Sequence, residues 1–273
     1  MKVIRKMIQC VVMVSMMFSL YFGWCAFEEY QSIAESEVKV DALRKLVLKE
    51  EKIKDKEMLE ETVEIKEEPE ENQAWKRRIA FDDLKKINKD IVGWIYIPDT
   101  SVDYPILIGD TDDTYLHKDF EGNDSEQGSI FSYADTDREF REARTVLFGH
   151  NMSQYAMFGE LKRYVREEDF RNEHKKLYVY TEKSMMELEI FSVFICEDTD
   201  SIFYDDAELG TVEYQELLQT LSERNQYADM EKKNIHKSYH CKSYTLVTCS
   251  GRSGTNRRLV ISAIVTRESY ILD

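Results

Sequence analysis

Ser243-Tyr244-Thr245-Leu246-Val247-Thr248-Cys249-Ser250-Gly251, residues 243–251, reads as an apolar strand that carries a cysteine to its end, where a Gly-containing loop opens. β-Branched and aromatic residues favour an extended chain through Thr248. The loop, residues 250–256, leads to Arg257-Arg258 and a second strand-like run, Leu259 to Thr266. If the two runs pair as an antiparallel hairpin, a guanidinium lands beside the sulfur. Alternation sends Arg257 and Arg258 to opposite faces, so at most one serves a site there directly, and periodicity does not choose between them. A strand end holds a nucleophile rigidly while the loop leaves room for substrate. Read alone, however, the fragment fits an inert core thiol better, because free cysteine is among the most buried residue types.

Outward from this hairpin, Ile91 to Ile97, Ser129 to Tyr133, Thr145 to Phe148, Lys176 to Thr181 and Met186 to Ile195 share the same strand-like composition. Helical periodicity is confined to two stretches. Ala80 to Lys89 carries Phe81, Leu84 and Ile87 on one face, and Thr211 to Arg224 offers Val212, Leu217, Leu218 and Leu221 as a buried stripe. Many strands with few, scattered helices favour a mainly β fold, a closed or nearly closed barrel decorated by helices.

The first 27 residues follow a different logic. Lys2, Arg5 and Lys6 precede an uncharged run from Met7 to Phe27, and Glu28 and Glu29 follow it. About 20 apolar residues at about 1.5 Å rise match a hydrocarbon core of roughly 30 Å, so residues 1–27 read as a cytoplasmic tip and transmembrane anchor. Phe22, Trp24 and Phe27 crowd the positions where a cleaved signal peptide needs small residues. The charge asymmetry puts the N-terminus in the cytoplasm and the rest outside. Residues 28–72 are rich in Glu and Lys, with Val40, Leu43, Val47 and Ile53 too irregular for heptads, and read as a charged helical stalk. Pro69, within Glu67 to Glu71, breaks it, so the folded domain is drawn over residues 73–273. The formal net charge of −16 argues against nucleic acid as a partner. The five cysteines, at 10, 25, 196, 241 and 249, show neither metal-ligand spacing nor a disulfide framework.

A reactive cysteine needs a proton partner. Phe148-Gly149-His150-Asn151-Met152 supplies a histidine at the end of another apolar strand, whereas His117, His174, His236 and His240 sit in polar surroundings and are not expected to be catalytic.

At this point the residues resemble a known family. Thr245-Leu246-x-Thr248-Cys249, the upstream Gly149-His150 and the Arg258-Leu259-Val260 segment together resemble the sortases, and class B sortases in particular. Asn88 to Ile95, Val102 to Ile106, Gly128 to Phe131 and Met157 to Leu161 extend the resemblance over nearly everything from Ala80 onward. It implies an eight-stranded sortase-type β-barrel with N-terminal helices and an extra helix, residues 211–224, before the cysteine strand. It selects Arg258 over Arg257 and implies a cysteine transpeptidase with His150, Cys249 and Arg258 as its catalytic residues. Tyr115, Leu116 and Thr248 are implied near the substrate groove. The implied partners are surface proteins bearing a C-terminal sorting signal that resembles Asn-Pro-x-Thr, and the amine of a peptidoglycan precursor. Membrane lipid would surround the N-terminal helix, at a Gram-positive-type cell surface. No metal or organic cofactor is required. Val247, and Ser250-Gly251 after the cysteine, depart from the residues several class B members carry. A pilin polymerase with a lysine acceptor, a hydrolase and a non-catalytic binding module are the alternatives.

Overall fold

The strand-like segments close into a barrel in the computed structural model, which describes residues 2–58, 74–75, 77–205, 207–228, 230, 235–250 and 255–271. The chain forms two units, Met1–Ala42 and Leu43–Asp273. Helix α1 (Lys2–Met58) contains a segment, Arg5–Leu46, that is long and apolar enough to cross a membrane. Pro69, the boundary at Asn72 and Gly251 lie outside the described residues, as do the side chains of Val47 and Ile53.

In the second unit, helix α2 (Phe81–Ile87) leads into β1 (Ile91–Tyr96), β2 (Asp103–Ile108), β3 (Ile130–Ser132) and β4 (Arg144–Phe148). The short helices α3 (Arg163–Arg166) and α4 (Glu168–Glu173) precede β5 (Lys176–Thr181) and β6 (Ser184–Glu197). Helix α5 (Val212–Glu223), β7 (Ser243–Cys249) and β8 (Arg257–Tyr270) complete the unit. The eight strands close in the order β1-β2-β3-β4-β7-β8-β6-β5. The β2–β3 and β4–β7 pairs are parallel and the others antiparallel.

Seven of these strands match the strand-like segments. The eighth, β2, escapes a reading by composition because Pro105 interrupts it. Pro105 is paired with Trp94 of β1, but β3 joins the other edge of β2 only from Ile106, so a missing N–H on that side is tolerated at Pro105. Strands β6 and β8 outrun their apolar stretches because their polar ends pair with each other, from Ser184↔Tyr270 to Glu197↔Arg257. Strand β7 is buried on both faces, which explains its unbroken apolar run.

Helix α5 packs on the outer face of β4, β6, β7 and β8. Thr211 caps it by accepting the Tyr214 N–H at its Oγ1, 3.2 Å away. The buried stripe is Tyr214, Leu217, Leu218 and Leu221, against Val146, Phe194, Val247, Val260 and Ile264. Val212, expected in that stripe, is exposed because it occupies the first helical position, ahead of the turn that meets the sheet. Ile87 is likewise exposed, as the last residue of a seven-residue helix that buries Phe81 and Leu84.

The Tyr214 hydroxyl bonds the Ala143 carbonyl and the Ser243 hydroxyl, each at 2.8 Å, and pins α5 to the starts of β4 and β7. Tyr214→Phe is expected to cost about 1–3 kcal/mol, the range for stranding buried polar partners. Urea denaturation of the full chain in detergent checks this, and an unchanged midpoint would refute the pinning role.

Candidate active site

The barrel's register assembles the site. In the parallel β4–β7 ladder Phe148 is level with Val247, and the Gly149 N–H donates to the Val247 carbonyl at 3.2 Å. Carried two residues further, that register brings His150 level with Cys249. On the other side of β7, Cys249 directly opposes Arg258. Directly opposed residues point to the same face of a sheet, and residues two apart share a face. Phe148, Val247 and Val260 lie on the outer face under α5, so His150, Cys249 and Arg258 continue that face beyond the helix. There a groove of about 380 Å³ opens, walled by Leu116, Phe131, Tyr133, Phe148, Phe203 and Tyr204, with Asp112 and Asp198 as its carboxylates.

The approach to His150 requires a glycine. A Cβ on Gly149 would stand 2.5 Å from Ile130 Cδ1 and 2.7 Å from Phe158 Cδ2. His150 is half-buried, and its Nε2 lies 2.8 Å from the Leu116 carbonyl oxygen. A carbonyl only accepts, so Nε2 carries the hydrogen and Nδ1 is the site at which the ring gains or loses a proton. Burial lowers the His150 pKa below its ordinary value; the Leu116 carbonyl opposes this and positive charge on His117 adds to it.

Arg258 is braced by an ion pair from Nη2 to Asp198 Oδ2 at 3.1 Å and by donation from Nη1 to the Thr255 carbonyl at 3.0 Å. This ion pair is made inside the groove, between two of its lining residues. Arg257 is exposed, and its carbonyl accepts the Ser250 N–H at 2.8 Å. Arg258 also directly opposes Cys196 on β6. Burial pushes the Cys196 thiol up to about 11, which keeps it neutral. Two inter-strand spacings separate it from Cys249 by roughly 10 Å, beyond the roughly 7 Å that a disulfide can bridge. Both cysteines are free.

The three residues expected near substrate fall differently. Leu116 and Thr248 line the groove. Thr248 is buried, and its Oγ1 has no hydrogen-bond partner among the described residues. Tyr115 is buried behind the groove; its hydroxyl donates to Asp90 at 3.0 Å and accepts from Asn88 at 2.8 Å, and burial raises its pKa to about 12. It holds the loop that presents the Leu116 carbonyl. Gly128, with φ +59°, lets the chain pass beneath, since a Cβ there would be 2.5 Å from the Leu116 oxygen.

His117 is exposed, as its polar surroundings suggest, but its ring stacks on that of His150 at 5.9 Å, a contact across more than thirty residues that no local pattern reveals. His174 bonds the Pro98 carbonyl through Nδ1 at 3.1 Å, and His240 is exposed beside Tyr239. Among the described residues no group of three or more His, Cys, Asp or Glu is placed to hold a metal ion. A half-buried thiol, an imidazole with a fixed tautomer and a braced guanidinium on one face suit acyl transfer through a covalent intermediate.

Residues 95–266 match the family model described as a sortase domain. Sortase B of Listeria monocytogenes is 33% identical over 193 residues, 70% of this chain and 76% of the relative. The solved Staphylococcus aureus sortase B–substrate complex superposes with a TM-score of 0.58 at 31% identity, covering 68% of this chain and 84% of that one. Clostridium perfringens sortase B superposes with a TM-score of 0.61 at 27% identity, covering 69% of this chain and all of that one.

The depressed His150 pKa has a measurable sign. Followed by NMR in the full chain, His150 is expected to titrate below the ordinary histidine value of about 6.5, and His117→Gln is expected to move it upward. Because the unfolded chain binds this proton more readily, the neutral ring's contribution to stability is complete above about pH 6.5 and is lost as pH falls through the lower folded value. A His150 that titrates above 6.5, or ignores His117→Gln, would contradict this.

Proposed function

The chain belongs to the sortase family, whose members are cysteine transpeptidases, and from that premise we propose that it cleaves an Asn-Pro-x-Thr-like sorting signal at Cys249 and passes the acyl group to an amine of a peptidoglycan precursor. The observation that carries this reading is the register: His150, Cys249 and Arg258 share one face at the rim of a groove. The relative solved as a substrate complex supports reading that groove as the seat of the signal.

In the proposed reaction the Cys249 thiol gives its proton to His150 Nδ1, and the resulting thiolate adds to the threonine carbonyl carbon of the signal. The C–S bond forms and the carbonyl π electrons move to oxygen. Collapse of this adduct breaks the C–N bond, and His150 gives the proton on Nδ1 to the departing amine, leaving a thioacyl-enzyme. The acceptor amine then adds to the same carbon and loses its proton to His150, and the thiolate departs. In many hydrolases the N–H after the nucleophile helps to hold the oxyanion. Here the Ser250 N–H is committed to the Arg257 carbonyl, so the Arg258 guanidinium becomes the principal donor. Asp198 and Thr255 brace that guanidinium before substrate arrives.

The same reading makes residues 1–27 a single-pass anchor with its N-terminus in the cytoplasm, 28–72 a stalk and 73–273 the extracellular catalytic domain. Three basic residues before the apolar run and two glutamates after it favour that orientation, and α1 is long enough to span. Substrate and acceptor would then meet the groove on the outer side of the membrane.

Incubation of the full chain in detergent with an Asn-Pro-x-Thr peptide and a short amine is expected to give the ligated product and a Cys249 adduct. Cys249→Ala is expected to abolish both. Arg258→Ala should lower kcat/KM by about 10²–10³, the range for losing one oxyanion donor, whereas Arg257→Ala should change it little. No cleavage and no adduct in the unaltered protein would overturn the assignment, and activity that survives Arg258→Ala but not Arg257→Ala would overturn the choice of arginine.

A further inference from the structure

Strand β4 ends at Phe148, yet its ladder with β7 gains one more rung. In a parallel pair the N–H groups of one strand meet carbonyls of its neighbour at every second residue. The Gly149 N–H takes the Val247 carbonyl, so the next rung would join the N–H of residue 151 to the Cys249 carbonyl. By then the main chain has turned away. Asn151 forms a bridge with Met157, and the Phe158 N–H donates back to the His150 carbonyl at 3.0 Å. The Asn151 side chain supplies the rung instead, donating from Nδ2 to the Cys249 carbonyl at 2.9 Å. Because a carbonyl only accepts, this contact also fixes which way the amide points.

The peptide after the cysteine is thereby held at both ends, its carbonyl by Asn151 and its N–H by the Arg257 carbonyl. Its other anchor is the segment that carries His150, and that segment is built under strain. Gln154, Tyr155 and Met157 have φ of 56°, 64° and 52° without being glycine, a conformation that persists where surrounding contacts over-determine it. The Tyr104 hydroxyl accepts the Met157 N–H at 3.1 Å, and the Ser101 hydroxyl donates to the Tyr155 carbonyl at 2.6 Å.

We propose that Asn151 is a positioning residue: its amide locks the Cys249–Ser250 peptide to the His150 segment, so that sulfur and imidazole keep one spacing through both halves of the transfer. This rests on Cys249 and His150 being the reacting pair. Asn151 is not among the residues that line the groove, and it bonds the Cys249 carbonyl rather than the sulfur, so its effect falls on the rate of the covalent steps. Small displacements of such groups carry large rate penalties.

The test uses the full chain in detergent with the Asn-Pro-x-Thr peptide and amine, comparing Asn151→Ala and Asn151→Asp with the unaltered protein, and rates are expressed per folded molecule. Asn151→Ala is expected to lower kcat by about 10–100-fold with KM within about threefold and an unshifted pH profile, the pattern of an interaction realised in the transition state. Asn151→Asp, which sets a carboxylate oxygen against the Cys249 carbonyl, is expected to be slower still, and alkylation of Cys249 by iodoacetamide to slow in both. If the unaltered protein turns over and both variants keep kcat within twofold, the positioning role is overturned even where the melting temperature drops. If the unaltered protein forms no Cys249 adduct, the underlying assignment of the reacting pair fails and the inference falls with it.

Discussion

The register of three neighbouring strands, β4, β7 and β8, is the constraint on which the rest depends. Successive side chains of a strand alternate between faces, so a one-residue slip in either pairing would turn a site residue into the barrel interior. What prevents the slip is burial. Val247 and Val260 lie under α5, while Leu246 and Ile261 fill the opposite face, all at 2% exposure or less. A slip would exchange both sets at once and expose Cys249 and Arg258 to the wrong neighbours. The apolar packing that specifies the fold therefore also aligns the chemistry. The site is the uncovered end of the face that the helix covers.

Within that frame, local partners decide what each group can do. Arg258 lies between two cysteines, Cys196 and Cys249, yet the two are not equivalent. Cys196 is packed against the cluster under α5, where burial holds it as a thiol. Cys249 stands where the cluster gives way to the groove. A similar tension acts on His150, whose burial disfavours the charged ring while the Leu116 carbonyl favours it. Burial prevails, so the ring is held toward its neutral form, the form that can take a proton.

The parts of this arrangement that a sequence can reveal are those written in short range. Strand β7 is legible because burial on both faces removes its polar residues, and the cysteine at its end stands out against them. Strand β2 is hidden by Pro105, whose tolerance depends on where β3 joins. Val212 and Ile87 fit a helical stripe by spacing but fall at helix ends, where the stripe has nothing to cover. The choice between Arg257 and Arg258 depends on cross-strand register, which periodicity does not encode. No local pattern marks the roles of Asp198, His117 and Asn151, because their partners, Arg258, His150 and Cys249, are joined to them by topology: 60 residues separate Arg258 from Asp198 and 98 separate Asn151 from Cys249.

The position of Cys249, the proposed nucleophile, at a strand's last residue follows from the same physics. One residue earlier, at Thr248, the side chain is buried and paired with Leu259 of β8, which leaves little room for a tetrahedral adduct. Cys249↔Arg258 is the last pair of the β7–β8 ladder, and cross-strand pairing is what holds a side chain still. Cys249 is the last residue that β8 pairs, and it lies two residues beyond Val247, the last that β4 pairs. The space left by β4 opens onto the groove, and the rung it would have supplied is restored from a side chain. Access and rigidity thus meet at one residue.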